Sequence, residues 1–555
     1  MSVGDRLVAP LKQARAESGT TALTLLAGAI AAAVLSPLIW ILLRVLQVDR
    51  SYAASILTRP TTVEILLNSL GLVTAVTGAS ILLGVPLAYL TVRTDLPFRR
   101  FWTIAVALPL VIPSYLGAFT FISAFGPSGQ LADVLAPFGI TIPTIYGFGG
   151  TTLILTLYTY PYVFITTRAS LLSFDQRLVE AARTLGMPRW KAFYRVTLPQ
   201  LLPGIASGAL LVALYALSDF GTPSLMRLDV FTRVIFVEYN AFGRETAALF
   251  SLQLLAITAV ILAIESRVGS DTDGAYVGTK SSAESDTTVS LGAWTLPSLA
   301  FCASVVALCL VVPIAILLHW LVRSPGQATR TGLEFQWTFV TNSALVSLGA
   351  ALACAILAVP VAYLAARRRS KVAELIDRAT YVGYATPGIV LGLALVFFAV
   401  WYESTASGVS QALLGGEYAP QLYQALPLLI FAYVVRFLPQ AVGATRSSVQ
   451  RVDRSLTEAA RTLGRSPMSA FREVTLPLIA PGVIGGAALV FLTTMKELPA
   501  TLLLRPGGFE TLVTYIWMVQ ESRHYGKAAV PALVLVGISA VSMLVLLSRG
   551  GNDVT

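Results

Sequence analysis

Hydrophobic residues in this chain come in long runs separated by short polar stretches, and the length of those runs predicts helices that cross a membrane. About 20 residues of helix span the hydrocarbon. Twelve runs reach that length, at roughly 21–46, 63–92, 101–125, 147–168, 203–220, 245–265, 295–322, 341–366, 376–402, 422–446, 480–500 and 528–548. The first is preceded by Arg6, Lys12 and Arg15, as a signal peptide would be, but its apolar stretch continues from "TALTLLAGAIAAA" through "VLSPLIWILL", too long for a cleaved segment. The expected fold class is an all-α integral membrane protein.

The pattern repeats. Asn68-Ser69 matches Asn342-Ser343, "GVPLAYL" (84–90) matches "AVPVAYL" (358–364), and Pro113 matches Pro387, all at an offset of 274. Further on the offset is 278, so that Pro161 matches Pro439, Arg168 matches Arg446 and Arg227 matches Arg505. Two sets of six spans enter the membrane in the same orientation. Parallel repeats of that kind imply a pseudo-two-fold axis along the membrane normal, with a path on the axis. The halves are 1–266 and 295–555. Between them, 267–294 is rich in Ser, Thr, Gly and Asp without apolar periodicity, and reads as a flexible cytoplasmic linker.

Composition agrees: 55% of residues are hydrophobic and only 12% charged, with a mean hydropathy of +0.74. The net charge of +10 is topological and does not point to nucleic acid. With the N-terminus in the cytoplasm most Lys and Arg fall on cytoplasmic segments, whereas the external loops 126–146 and 403–421 contain none. That positive-inside bias places both termini in the cytoplasm of a multi-pass protein in contact with lipid. Cys302, Cys309 and Cys354 lie in predicted spans without paired spacing. His319 and His524 are the only histidines, and no HExxH, GxSxG or membrane-embedded carboxylate cluster occurs. No catalytic residue, bound metal or cofactor is expected.

One polar stretch is duplicated more closely than the spans around it. "EAARTLGMPRWKAFYRVTLPQLLPGI" (180–205) and "EAARTLGRSPMSAFREVTLPLIAPGV" (458–483) are identical at 15 of 26 positions. Asp175 and Asp453 are suited to cap a short helix containing Glu-Ala-Ala. Gly186 and Gly464 then turn the chain, Phe193/Phe471 and Val196/Val474 share one face of a second short helix, and Pro199 and Pro477 end that helix before the next span. A helix–Gly–helix knob of this kind can dock into a soluble partner. The bland alternative is a connector lying on the surface.

The pattern of Glu180-Ala181-Ala182, Gly186, Val196 and Leu198-Pro199, with Glu458-Ala459-Ala460, Gly464, Val474 and Leu476-Pro477, resembles the coupling-loop signature of binding-protein-dependent ABC importer permeases. The six-span unit of that family covers both halves, with coupling loops at about 175–202 and 453–480. Fusion of two copies resembles the ferric-iron transport permeases, as do "ALSDFGTPSLM" (216–226) and "MKELPATLLLRPGGFETL" (495–512). The resemblance implies a cytoplasmic ATPase homodimer gripping the two coupling loops, an external solute-binding protein that delivers the substrate, and alternating access. ATP is then the partner's, in keeping with the lack of a phosphate loop: in "GAYVGTKSS", Gly278 is followed by Thr279 where a Walker motif needs Lys.

Gly204/Gly208 and Gly482/Gly486 form GxxxG pairs at matching positions, expected to pack helices closely near the two-fold interface. Asp219 matches Glu497, which follows Lys496; such carboxylates near the outer mouth would attract a cation, form gate salt bridges, or be ordinary interfacial charge. Arg436 sits near mid-membrane where the repeat has Tyr158, and either lines the path or pairs with a carboxylate or carbonyls beside Pro439. Ferric iron is the expected cargo, with thiamine as the rival within importers. An ion-coupled secondary transporter is the alternative class, but it would need embedded acidic residues and has no use for two coupling knobs.

Overall fold

The computed structural model describes residues 3–126, 145–175, 177–270, 288–323, 334–368, 370–414, 420–522 and 524–550. Most of the expected linker, including "GAYVGTKSS", and most of the loop 126–146 lie outside the described residues. Among these residues the regular elements are helices, and the only β pairing is an isolated bridge between Thr94 and Val289.

Nine described helices are long and apolar enough to cross a membrane. A tenth span is bent by 90° between Arg99–Val111 and Ser114–Phe125. The bend falls at Pro113, which cannot donate an N–H and holds Ile112 extended, so the helix restarts at Ser114. Two of the twelve expected spans are outside this set. Phe148–Ser173 is a helix of 26 residues, but Thr and Tyr recur along it, and Ile154 to Tyr160 are buried against neighbouring helices. A span shielded from lipid need not be uniformly apolar. The last expected span forms the helix Ala529–Gly550, entered through the turn Tyr525–Ala528, and its apolar stretch, Gly526–Ser542, is shorter than a full span.

The chain forms two compact units, and neither is a continuous piece of sequence. One contains 1–47, 336–515 and 541–555; the other contains 48–335 and 516–540. In the first unit, the N-terminal helix Val3–Leu46 packs on Lys371–Ala385 and Gly388–Leu414. Trp40 meets Phe398 and Trp401 with ring centroids 5.3 and 4.6 Å apart. In the second unit, Thr295–Val306 and Val312–Arg323 pack on Arg99–Ala107 and Ser114–Phe125. There Trp320 Nε1 donates to Ser123 Oγ at 3.4 Å. The first helix of each sequence half thus belongs to the compact unit of the other half, a pairing that spacing along the chain does not reveal.

Within each unit the second, fourth and fifth spans of a half form the packing centre. Pro60–Arg93 lies along Phe148–Ser173 and Leu198–Ser218, and Thr338–Arg367 lies along Leu426–Arg451 and Leu476–Thr494. Leu72, Val76, Leu155, Val163 and Val212 make one buried cluster. Burying each such side chain contributes about 1.5–3 kcal/mol, less in lipid than in water.

Candidate functional site

Both duplicated stretches fold alike. Asp175 Oδ1 accepts the Arg177 N–H at 2.9 Å and Asp453 Oδ1 accepts the Ser455 N–H at 2.9 Å, starting the helices Arg177–Thr184 and Arg454–Thr462. The bonds from Ser455 hold the Asp453 carboxyl below the ordinary carboxylate range. The cap is therefore fully present above that range and is lost as pH falls through the lowered value. Each helix ends in the same paired closure. Gly186 N–H reaches Arg183 O at 3.0 Å and Met187 N–H reaches Ala182 O at 3.1 Å; Gly464 N–H reaches Arg461 O at 3.1 Å and Arg465 N–H reaches Ala460 O at 3.1 Å. The closure needs left-handed backbone, and φ is +84° at Gly186 and +89° at Gly464.

The expectation that Pro199 and Pro477 end the second short helix is corrected. Helix continues through both prolines into the spans, as Trp190–Ser218 and Pro467–Thr494. Just before each proline the helix widens into a π-turn, at Phe193–Thr197 and Phe471–Thr475, so that Leu198 N–H bonds Phe193 O and Leu476 N–H bonds Phe471 O. The wide turn accommodates a residue that lacks a donor and crowds the preceding turn. It also removes the strict three-residue spacing by which Phe193/Val196 and Phe471/Val474 would share a face.

Glu180, Ala181, Glu458 and Ala459 are exposed, whereas Ala182 is buried and Ala460 half-buried against the knob itself. Among the described residues neither glutamate forms an ion pair. Sequence reasoning missed the apolar tip of each knob. Leu185 is 81% and Leu463 84% exposed, and Leu178/Leu456 and Trp190/Met468 are exposed beside them at matching positions. Large apolar residues repeated within a polar stretch were the available signal, since such a patch marks a docking surface.

Each knob is anchored at its base by an arginine at the end of the second span. Arg93 Nη2 donates to Leu171 O at 2.7 Å, and Arg367 Nη2 donates to Val452 O at 2.8 Å. The segment expected to be a flexible linker, 267–294, is helical up to Ser270, and its far end is bonded to the first anchor. Val289 N–H donates to Arg93 O at 2.8 Å, Asp95 N–H to Val289 O at 3.2 Å, and Leu291 N–H to Asp95 Oδ1 at 2.8 Å.

The glycine pairs are filled by neighbours from their own half. A Cβ on Gly204 would meet Ser170 Oγ at 1.9 Å and one on Gly208 the Val163 Cα at 2.7 Å. On Gly482 it would meet Ser448 Oγ at 2.0 Å, and on Gly486 the Ala441 Cα at 2.9 Å. Close packing of the fifth span on the fourth therefore accounts for them without the two-fold interface.

Asp219 and Glu497 both cap a short helix that follows the fifth span of their half. Asp219 Oδ2 accepts the Thr222 N–H at 3.1 Å ahead of Gly221–Leu225, and its Oδ1 accepts from Ser114 Oγ at 3.0 Å. Glu497 Oε2 accepts the Ala500 and Thr501 N–H groups at 3.1 and 3.2 Å ahead of Pro499–Leu504, and Arg436 Nη1 donates to Oε1 at 2.8 Å. Lys496 is half-buried at the same turn. No group of three or more metal-ligating side chains occurs among the described residues.

A duplicated all-helical membrane protein with an exposed, identically built knob on each half is a two-half transport subunit. The chain belongs to the family described as binding-protein-dependent transport system inner membrane component, whose model matches residues 80–268 and 358–548. It is similar to the Fe(3+)-transport system permease protein FbpB 2 of Haemophilus influenzae, 33% identical over 94% of this chain and 97% of that one. It is also similar to the ferric transport system permease protein FbpB of Actinobacillus pleuropneumoniae, 23% identical over 87% of this chain and 70% of the relative. A molybdate/tungstate transport system permease protein WtpB of Thermococcus kodakarensis is 28% identical over 37% of this chain and 78% of its own length. The chain is thus a multi-pass inner-membrane permease component of an ABC importer, with both family units fused, and is a transport subunit rather than an enzyme. Membership implies a solute-binding protein and an ATPase as partners.

Proposed function

We propose that this permease takes ferric iron from an external solute-binding protein and releases it into the cytoplasm by alternating access. A homodimer of a separate ATPase drives it, one subunit gripping each knob around Glu180/Gly186 and Glu458/Gly464, and the nucleotide is the partner's alone. Both termini face the cytoplasm, and the halves 1–266 and 295–555, each with its first helix exchanged into the other's compact unit, rock about a pseudo-two-fold axis. The observation that carries the coupling role is the equivalence of the two knobs: the same cap, the same left-handed glycine and the same bare leucine tip, at Leu185 and Leu463. A connector needs none of these to be kept twice. ATP closure would then supply the free energy that separates the two access states, through the difference in partner affinity between them.

Iron is favoured by the relative that matches along almost the whole chain. An oxyanion is the second reading, favoured by the molybdate/tungstate permease that matches part of the chain. The test is uptake into proteoliposomes containing the chain, its ATPase and its binding protein, with labelled ferric iron, molybdate and thiamine compared. ATP-dependent uptake of iron alone is expected. Uptake of molybdate or thiamine instead would leave the coupling argument in place and overturn the cargo.

A further inference from the structure

The two halves solve one packing problem with different residues, and four positions change together. Where the first half has Ser114, Gly117, Tyr158 and Asp219, the second has Gly388, Leu391, Arg436 and Glu497. In the first half the Tyr158 ring lies over residue 117, and a Cβ there would fall 2.0 Å from Cε2 of the ring. Its hydroxyl donates to Cys309 O at 3.3 Å, and Asp219 is held by Ser114. In the second half the small residue is at 388 instead. A Cβ on Gly388 would fall 1.7 Å from Arg436 Nη1 and 2.6 Å from Glu497 Oε1. Leu391, where Gly117 stands in the other half, is buried.

We infer that Arg436 is a positioning residue: it fixes Glu497 and, through Glu497, the short helix Pro499–Leu504, with Gly388 as the space that admits the guanidinium. The transport readout of its test rests on the reading of the chain as an importer permease. Glu497 is 2% and Arg436 18% exposed. Oε1 accepts from the arginine and Oε2 from the first N–H groups of the helix, with the Ala500 N–H also within 3.3 Å of Oε1, while Thr501 Oγ1 donates to the Glu497 carbonyl at 2.6 Å. Removing the arginine leaves a buried carboxylate without its counter-charge and frees the start of the helix. In the first half Ser114 Oγ donates to the equivalent carboxylate, at the position where the second half has Gly388 and admits the Arg436 guanidinium. This explains an arginine where the repeat has a tyrosine: arginine, glycine and glutamate form one unit.

The test is hydrogen–deuterium exchange of the amides of 500–504 in the reconstituted transporter, with transport measured in parallel. Arg436→Gln is expected to speed exchange there at least about tenfold. Gly388→Ser, whose Cβ displaces the guanidinium and crowds Glu497 Oε1, is expected to do the same. Turnover should fall in both variants while the KM for loaded binding protein is unchanged, and Arg436→Lys should recover part of each loss. The combined exchange Gly388→Ser, Leu391→Gly, Arg436→Tyr and Glu497→Asp, which installs the first half's set, should restore slow exchange. Wild-type exchange of 500–504 in both Arg436→Gln and Gly388→Ser would overturn the inference. Should Arg436→Gln fail to fold, Gly388→Ala keeps the question open to the same measurement. The exchange readout is independent of cargo, so a failure of iron uptake by the wild type sinks the proposed function without deciding this point.

Discussion

Arg367 donates to the carbonyl of Val452 at 2.8 Å, one residue before the Asp453 that caps the helix Arg454–Thr462 of the second knob. Arg93 plays the same part for the first knob through Leu171. The end of a membrane span is thereby tied to the base of a projecting knob, which is the connection a coupling element requires. A charge-assisted bond of this kind contributes about 1.5–3 kcal/mol. Arg93→Met and Arg367→Met are therefore expected to leave the protein inserted and to lower ATP-driven uptake by roughly an order of magnitude, the double variant more than either alone. ATP hydrolysis that continues while uptake falls would mark loss of coupling. Unchanged uptake in the double variant would show that the anchors carry no motion.

At Gly186 and Gly464 the identity of the replacement decides the outcome. With φ near +84° and +89°, an L side chain costs about 1–2 kcal/mol, whereas Asn tolerates this region better. No neighbouring atom lies within 4 Å of either Cβ position, so sterics within the chain are not the obstacle. Gly→Asn at both sites should keep most uptake, and Gly→Val should lose it while the spans stay inserted. Equal activity of the two variants, measured by uptake per transporter, would mean that the left-handed turn is not needed.

The leucine tips offer a different test, of contact rather than shape. Leu185→Asp and Leu463→Asp place a charge on a largely exposed tip, so the thermal unfolding of the isolated permease should change little. Retention of the ATPase on the permease should fall by an order of magnitude or more, as expected for an apolar anchor in a desolvated pocket. Glu180→Lys and Glu458→Lys should act in the same direction. A pull-down in which all four variants hold the ATPase as the wild type does would remove the knobs from the interface.

Much of this was legible in the sequence because of where polarity was kept. Asp175, Gly186, Asp453 and Gly464 act locally, through bonds that reach no more than a few residues, so the pattern of types suffices to place them. Pro199 and Pro477 misled for the converse reason: a π-turn one step upstream accommodates a proline, and no residue type announces that turn. The partner of Arg436 lay beyond sequence reasoning, since Glu497 is reached only after the fifth span folds back into a short helix. The packing of Val3–Leu46 on 371–414 was hidden more deeply, because adjacency along the chain argues for the other half.

Gly208 and Gly486 predict stability rather than coupling. Each lies where a Cβ would overlap the backbone of the fourth or tenth span, and backbone cannot give way as a side-chain tip can. Gly208→Leu or Gly486→Leu should destabilise the detergent-solubilised protein by several kcal/mol, above the usual overpacking range of about 1–3 kcal/mol. A drop of several degrees in unfolding temperature, with the ATPase still bound by the folded fraction, is the expected result. Unchanged melting would mean that the spans separate readily to admit the side chain.

The docked end of the linker supports a last prediction, about how the two halves are joined. Val289 N–H reaches the Arg93 carbonyl, the same group of the same anchor whose counterpart, the Arg367 carbonyl, is reached by the Arg454 guanidinium at 3.3 Å. A strand of linker therefore stands in the first half where a side chain stands in the second, and it steadies the carbonyl next to the anchor. Lengthening 271–287 with a few Gly and Ser residues should change uptake little, because loop closure costs only about 0.6 kcal/mol per doubling of length. Val289→Pro removes the donor, at a cost of about 1 kcal/mol, and should lower coupled uptake roughly fivefold. If lengthening harms uptake and Val289→Pro does not, the linker acts through its span alone, and the bond to Arg93 is incidental to the first knob.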